Sequence, residues 1–197
     1  MAWGFIHSLT ASLTFKNRVR HAFGNGFMKI YGLLYNVFSV VSITPILYLM
    51  ITLPDRDFYR IPSPWNIFMQ IGQGLATLLL LISLLQTDML SFVGLRQLFD
   101  EEKPGKLVTE GMYRFVRHPL YTFGLLALWL TPSISLNTLL VYLAFTAYIL
   151  VGIFFEERKL LREFGQEYAD YRAMTPMLIP GRKWDGNKSF SKTVYRR

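Results

Sequence analysis

Apolar residues gather into runs broken by short polar stretches, and the lengths of those runs set the architecture. Ala2 to Phe15 is mildly apolar and contains His7, but it falls short of the roughly 20 residues a bilayer crossing needs and reads as a short or partial helix. Lys16, Arg18, Arg20, His21 and Lys29 follow, with Gly24-Asn25-Gly26 expected to form a turn. Ile30 to Thr52 is the first convincing span, with Pro45 inside it to kink it. Leu53 to Trp65 reads as a loop with three prolines, in which Asp55, Arg56, Asp57 and Arg60 cancel in charge. Asn66 to Gln86 is a second span, whose Gly72 and Gly74 offer a small-residue packing face.

A long polar connection, Thr87 to Arg117, comes next, with Pro104-Gly105 as a turn and Leu107 to Gly111 either extended or loop. Pro119 to Leu130 is apolar but short, and Thr131-Pro132-Ser133 breaks it before a full-length span from Leu136 to Phe155. The uncharged link makes these two segments a helical hairpin that brings Pro119 and Glu156 to the same side. From Glu156 onward Glu157, Leu160, Leu161, Phe164, Tyr168 and Tyr171 recur at three- and four-residue spacing, the mark of an amphipathic helix. The Phe164-Gly165 step interrupts that helix for no reason visible in the pattern. Thr175 to Gly181 ends the fold, and residues 182–197 form a basic tail. The predicted architecture is all-α and polytopic, with four to five transmembrane segments. It divides into N-terminal helices (1–86), a second half with the hairpin and amphipathic helix (87–181), and the tail.

Composition agrees with a membrane class: 52% of the 197 residues are hydrophobic and only 17% charged. Net charge is +8, but the basic residues lie between and after apolar runs, so phospholipid headgroups rather than nucleic acid are the expected counter-charge. Lys and Arg number 4 in residues 16–29, 2 in the first loop, 5 in 87–117, none in the hairpin link and 10 after residue 155. By the positive-inside rule the heavy regions are cytoplasmic, and so are the C-terminus and the corner at His118. Cysteine is absent, which excludes disulfides and thiolate nucleophiles. No cleavable signal stands out.

Candidate chemistry centres on Gly111 to Gly124, a basic, aromatic and imidazole-bearing stretch that runs into an apolar helix. Pro119 suits the first turn of that helix, so the unpaired amides and positive dipole end lie beside His118 and suit an anion. Arg117, Tyr113 and Tyr121 flank the corner, and Glu156-Glu157 stands at the other limb of the hairpin. A carboxylate pair at the membrane edge costs several kcal/mol unless paired or hydrated, which makes it a functional hint. Blander readings stand beside these: Arg114 and Arg117 anchor a helix end, and Glu156 and Glu157 pair with Arg158, Lys159 or Arg117. His7, His21 and His118 lack metal-ligand spacing, so no metal site is expected. His7, near Ser8 and Ser12, reads as a polar lining or interface residue rather than a catalyst.

Three stretches together resemble a family. Leu107-Val108 through Gly111-x-Tyr113, then Arg117-His118-Pro119-x-Tyr121, then Glu156-Glu157-x-x-Leu160-x-x-x-Phe164-Gly165-x-x-Tyr168-x-x-Tyr171 look like the C-terminal signature of the integral-membrane methyltransferases, which include isoprenylcysteine carboxyl methyltransferase and phospholipid N-methyltransferases. The resemblance covers about residues 94–181. Within the superfamily, His7-Ser8, Ala11-Ser12, Gly94-Leu95-Arg96-Gln97, Leu130-Thr131-Pro132 and Pro176 to Pro180 look closest to the bacterial thiol S-methyltransferase branch. Carboxyl methyltransferases tend to carry an arginine one turn before the Glu pair, where Gly152 stands here, which weakens the case for a carboxylate substrate.

The resemblance implies an enzyme of a bacterial inner membrane, or its equivalent, that binds S-adenosylmethionine at the cytoplasmic face. Leu107, Val108, Gly111, Tyr113, His118, Pro119, Tyr121 and Glu157 would hold the cofactor. Glu156 or Glu157 would bind the cofactor's amine or ribose or take a proton from the nucleophile, with Arg117 orienting them. The acceptor would be a small thiol or an amphipathic, membrane-soluble molecule. Carboxyl methylation of a prenylated cysteine and N-methylation of a lipid headgroup are alternatives, and a non-enzymatic transport or assembly factor is the reading of another class.

Overall fold

A computed structural model describes residues 2–87 and 106–181. Its helices are α1 (Ala2–Ala11), α2 (Leu13–Thr52), α3 (Trp65–Leu85), α4 (Pro119–Trp129), α5 (Leu136–Phe164) and α6 (Gln166–Met174). Two short strands, β1 (Asp57–Arg60) and β2 (Ser133–Ser135), and a 3-10 turn at Gly111–Arg114 complete the described elements. The chain is an all-α polytopic membrane protein. Thr14–Thr52, Trp65–Leu85 and Leu136–Phe164 are long and apolar enough to cross a bilayer, and Pro119–Trp129 is a shorter apolar helix. Large side chains such as Val41, Leu78, Leu140 and Phe155 point outward from these helices, as a lipid-facing surface requires.

The N-terminal half differs from its sequence expectation first at α2, which begins at Leu13 and not near Ile30. Ser12 ends α1 and caps α2, its Oγ accepting from Phe15 N at 3.2 Å. Gly24-Asn25-Gly26 does not form a turn: α2 runs through it, and only Gly24 leaves helical geometry (φ 79°, ψ 175°), giving a kink. That φ lies in the region glycine enters without steric cost. Tyr31 Oη donates to Thr10 O (2.6 Å) and Trp3 Nε1 to Ser42 Oγ (2.8 Å), so α1 lies antiparallel along the 31–42 stretch of α2.

The proline-rich first loop holds more structure than its composition suggested. β1 pairs antiparallel with β2, with Tyr59 opposite Ile134. Ile134 is buried, Tyr59 Oη donates to Thr131 O, and Leu136 N donates to Arg56 O. The loop thus clamps the link between α4 and α5. Being 11 residues and about 16 Å long, α4 reaches only half the depth of a bilayer. Its closest companion is α3: Gln73 Nε2 donates to Ala127 O, and a Cβ on Gly72 would lie 3.2 Å from Leu130 Cδ1. Gly74 has open space around it, so only Gly72 of the expected small-residue pair packs.

The expected change of helix at Glu156 is also absent. α5 continues unbroken to Phe164, and the break falls at Gly165, whose φ of 54° caps α5 and starts α6. That glycine reverses the chain and folds α6 back toward the end of α5, which gives the Phe164-Gly165 step its purpose. The Pro104-Gly105 turn, the Gly94 to Gln97 match and the basic tail lie outside the described residues. Gly165→Ala should strain the reversal and cost about 1–3 kcal/mol, whereas Gly74→Ala, helical and unobstructed, should be neutral or stabilising by up to about 1 kcal/mol. Thermal unfolding of the two variants in one detergent checks the contrast.

Candidate functional site

The corner is assembled from three pieces of chain that meet at one carboxylate. The first is the approach to α4. Gly111 has φ 63°, and a Cβ there would run into the Gln86 carboxamide. Gln86 Oε1 accepts from Met112 N at 2.8 Å, which docks the 3-10 turn on the end of α3. Tyr113 Oη lies 2.9 Å from Thr87 Oγ1, and burial pushes its pKa up. Beyond the turn, Val116 is buried, His118 occupies the N-cap of α4 without a side-chain cap bond, and Pro119 takes the first helical position, fully buried.

The second piece is a strap formed by residues 175–178. Arg117 N donates to Pro176 O (2.9 Å), His118 N to Met177 O (3.2 Å), and Thr122 Oγ1 to Leu178 O (2.8 Å). The sequence marked this stretch only as the end of the fold. Its signal was Pro176 within it and Pro180 just beyond, which deny it a helix.

The third piece is α6. Tyr168 and Tyr171 are almost fully buried. Tyr171 Oη donates to Tyr113 O at 2.6 Å, and Tyr168 Oη donates to Glu157 Oε1 at 3.0 Å. Burial, reinforced by the Glu157 charge, holds the Tyr168 hydroxyl protonated well above its ordinary range.

Glu157, 7% exposed, joins all three. Arg117 Nε donates to Oε1 at 2.7 Å, His118 Nε2 lies 3.1 Å from the same oxygen, and Arg172 Nε lies 3.2 Å from Oε2. Arg117 Nη1 also reaches Arg172 O (3.2 Å) and Thr175 O, so its planar fork grips α5, α6 and the strap together. Three of these donors meet Glu157 Oε1 and one meets Oε2.

Glu156 sits differently. Its Oε2 is buried and has no hydrogen-bond partner, although the side chain as a whole is 41% exposed. His118 Nδ1 is 3.7 Å from that oxygen, beyond hydrogen-bonding distance. Because ionised Glu157 can only accept, His118 Nε2 carries a hydrogen toward it. Glu156 Oε2 is left facing the His118 ring without a hydrogen bond to it. Tyr121 stacks on His118 with ring centroids 5.7 Å apart.

Arg117, His118, Glu156 and Glu157 are thus in direct contact as expected from the sequence. Tyr121 joins by stacking, Tyr113 through Tyr171, and Gly111 by shaping the turn. Leu107 and Val108 stand apart, half-buried in the irregular segment before that turn. Arg172, Tyr168 and the strap carbonyls are site residues that sequence reasoning did not assign. Among the described residues no group of three His, Asp or Glu gathers as a metal site would. On the far side of Glu157 a groove of about 490 Å³ runs between Ile153, Phe154, Leu161, Arg172 and Met177.

The phospholipid methyltransferase model matches residues 67–167, and the chain belongs to that family. It is 45% identical over 111 residues to methanethiol S-methyltransferase 2 of Bradyrhizobium diazoefficiens, covering 52% of this chain and 43% of the relative. It is 38% identical over 128 residues to methanethiol S-methyltransferase of Crocosphaera subtropica, covering 59% and 50%, and 31% identical over 128 residues to that of Pseudomonas deceptionensis, covering 59% and 49%. The chain spans about half the length of the curated relatives it matches. No solved structure matches it.

Replacing Arg117 by Met leaves Glu157 buried without its main counter-charge. The expected cost is about 3–5 kcal/mol, with Arg117→Lys recovering only part, since one ammonium cannot meet Glu157 and two carbonyls together. Thermal unfolding gives the cost, and limited proteolysis should cut first at residues 175–178.

Proposed function

We propose that the protein is an S-adenosylmethionine-dependent methyltransferase of the membrane whose acceptor is a small thiol or another compact, membrane-soluble nucleophile. The observation that carries this reading is the buried Glu156 Oε2, which has no hydrogen-bond partner and lies 3.7 Å from His118 Nδ1. A buried carboxylate oxygen left without a donor is costly, and an ammonium placed beside it would relieve that cost. S-adenosylmethionine carries such an ammonium. Its carboxylate suits the uncapped N-terminus of α4 beside it, and the Tyr121 and Tyr113 rings suit its sulfonium and adenine. When bound, it supplies a methyl group on a positively charged sulfur.

In this reading the two glutamates have separate roles. Glu156 faces the ligand, whereas Glu157, bound by Arg117, His118, Tyr168 and Arg172, holds His118 and the strap in place. Arg117 is a positioning residue. Gly111 and Pro119 shape the wall of the cofactor site. Methyl transfer needs a held donor and an aligned acceptor more than covalent help, and a rigid corner of this kind supplies the holding. A thiol acceptor is supported by the names of the relatives and by Gly152, which leaves no guanidinium for a substrate carboxylate. The distribution of Lys and Arg supports a cytoplasmic corner and C-terminus.

Isothermal titration of the detergent-purified protein with S-adenosylhomocysteine tests the site. Glu156→Gln should weaken binding at least about tenfold, since a charge-assisted hydrogen bond is worth roughly 1.5–3 kcal/mol, without changing the unfolding temperature. Wild-type affinity in that variant would contradict the reading.

A further inference from the structure

Two recesses flank the cytoplasm-directed end of α5, and one arginine stands between them. The groove of about 490 Å³ behind Glu157 is lined by Phe154 and Arg158 from α5, Arg172 from α6 and Met177 from the strap. A second recess, of about 420 Å³, lies between Phe155 and Arg162. Arg158 and Leu161 line both. Successive residues on a helix point about 100° apart, which sets Phe154 in one recess and Phe155 in the other.

Arg158 points the wrong way for a simple anchor. Side chains on a helix lean toward its N-terminus, and for α5 that direction leads into the apolar span. Arg158 follows it: its Cζ lies 4.2 Å from the centre of the Phe154 ring, one turn deeper. A basic side chain that serves only to hold a helix end reaches toward water instead. Phe154 and Phe155 close the apolar run of α5, so this guanidinium stands where hydrocarbon gives way to headgroups.

The charge around it is uncompensated. Among the described residues no carboxylate pairs with Arg158, and Glu157, the acidic residue of the lining, is already held by Arg117. Arg172 meets Glu157 through Nε alone, and Arg162 uses its Nε on Arg158 O at 3.3 Å. The terminal nitrogens of these two have no acceptor among the described residues. Three guanidiniums thus border two apolar recesses in which Leu150, Phe154, Phe155 and Met177 are exposed.

That combination selects the occupant. A water-soluble anion would leave the apolar surface bare, and a neutral lipid would leave the guanidiniums without a counter-charge. The chain's own residues 182–197 carry six basic side chains and one acidic, so their charge matches that of the grooves rather than complementing it. We propose that the two recesses bind one anionic diacyl phospholipid, its phosphate between Arg158 and Arg172 and one chain in each recess. A basic pocket at the cytoplasmic end of membrane helices is suited to such a headgroup. This goes beyond the methyltransferase reading and does not depend on it. Because Arg172 belongs to α6 and Met177 to the strap, the lipid ties both to α5 across the reversal at Gly165 and braces the corner around Glu157.

Thermal unfolding in nanodiscs of phosphatidylcholine, and of an equal mixture of phosphatidylcholine and phosphatidylglycerol, tests the site. The wild type should unfold about 4 °C or more higher in the mixture, as expected for a ligand present well above its dissociation constant. Arg158→Gln, which leaves Glu157 and its donors intact, should reduce that gain to less than about 1 °C. Lys159→Gln removes the same charge from the next residue, which lines neither recess, and should keep the full gain. Equal unfolding temperatures of the wild type in the two bilayers would overturn the proposal. So would a full gain in Arg158→Gln, which would place the lipid elsewhere, or equal losses in the two variants, which would make the effect one of general surface charge. A gain reproduced in phosphatidylcholine by inorganic phosphate would mean that a free anion suffices, and would overturn it too. Native mass spectrometry gives a second readout: released from the mixed nanodiscs, the wild type should retain one phosphatidylglycerol more than Arg158→Gln, and equal lipid counts would refute the site.

Discussion

The fold at the polar end depends on one carboxylate being kept ionised out of water. Burying Glu157 costs several kcal/mol, and that cost is met only if donors close around it with good geometry. The donors come from three separated stretches: Arg117 and His118 before α4, and Tyr168 and Arg172 on α6. These stretches converge on Glu157. The 3-10 turn docked on Gln86 brings Arg117 in, Gly165 reverses the chain so that Tyr168 returns, and the strap at 175–178 is held by the same guanidinium.

Adjacent residues on a helix point about 100° apart, and this separates the two glutamates. With Glu157 turned into its donors, Glu156 is turned past them, toward His118 Nδ1 and Tyr121. His118 joins the pair, with Nε2 on Glu157 and Nδ1 3.7 Å from Glu156 Oε2. The internal lock and the vacant polar face thus have one origin. Rigidity at this corner is what methyl transfer asks of a protein, whose contribution to such a displacement is placement.

Much of this was legible in the residues. Lengths of the apolar runs located the spans and Pro119 marked the start of α4, whereas Tyr168 reaches Glu157 through the reversal at Gly165 and not along one continuous helix face. What could not be read is where backbone direction changes. Gly24, Gly111 and Gly165 all adopt positive φ, yet the first kinks a helix, the second docks a turn and the third reverses the chain, according to partners distant in sequence. The strap's role was hidden for a related reason: Pro176 and Pro180 marked the stretch, but it bonds through its backbone carbonyls, which its side chains do not announce. Loss of periodicity at Leu53 to Trp65 likewise hid β1, because a four-residue strand pairs with residues more than 70 positions away.

The most direct test is an experimental structure of the full chain with S-adenosylhomocysteine bound. The ligand's ammonium should lie about 3 Å from Glu156 Oε2, with Glu157 still held by Arg117, Tyr168 and Arg172. A ligand bound away from Glu156, or Glu157 turned out of its donors to hold it, would contradict the division of roles on which this account stands.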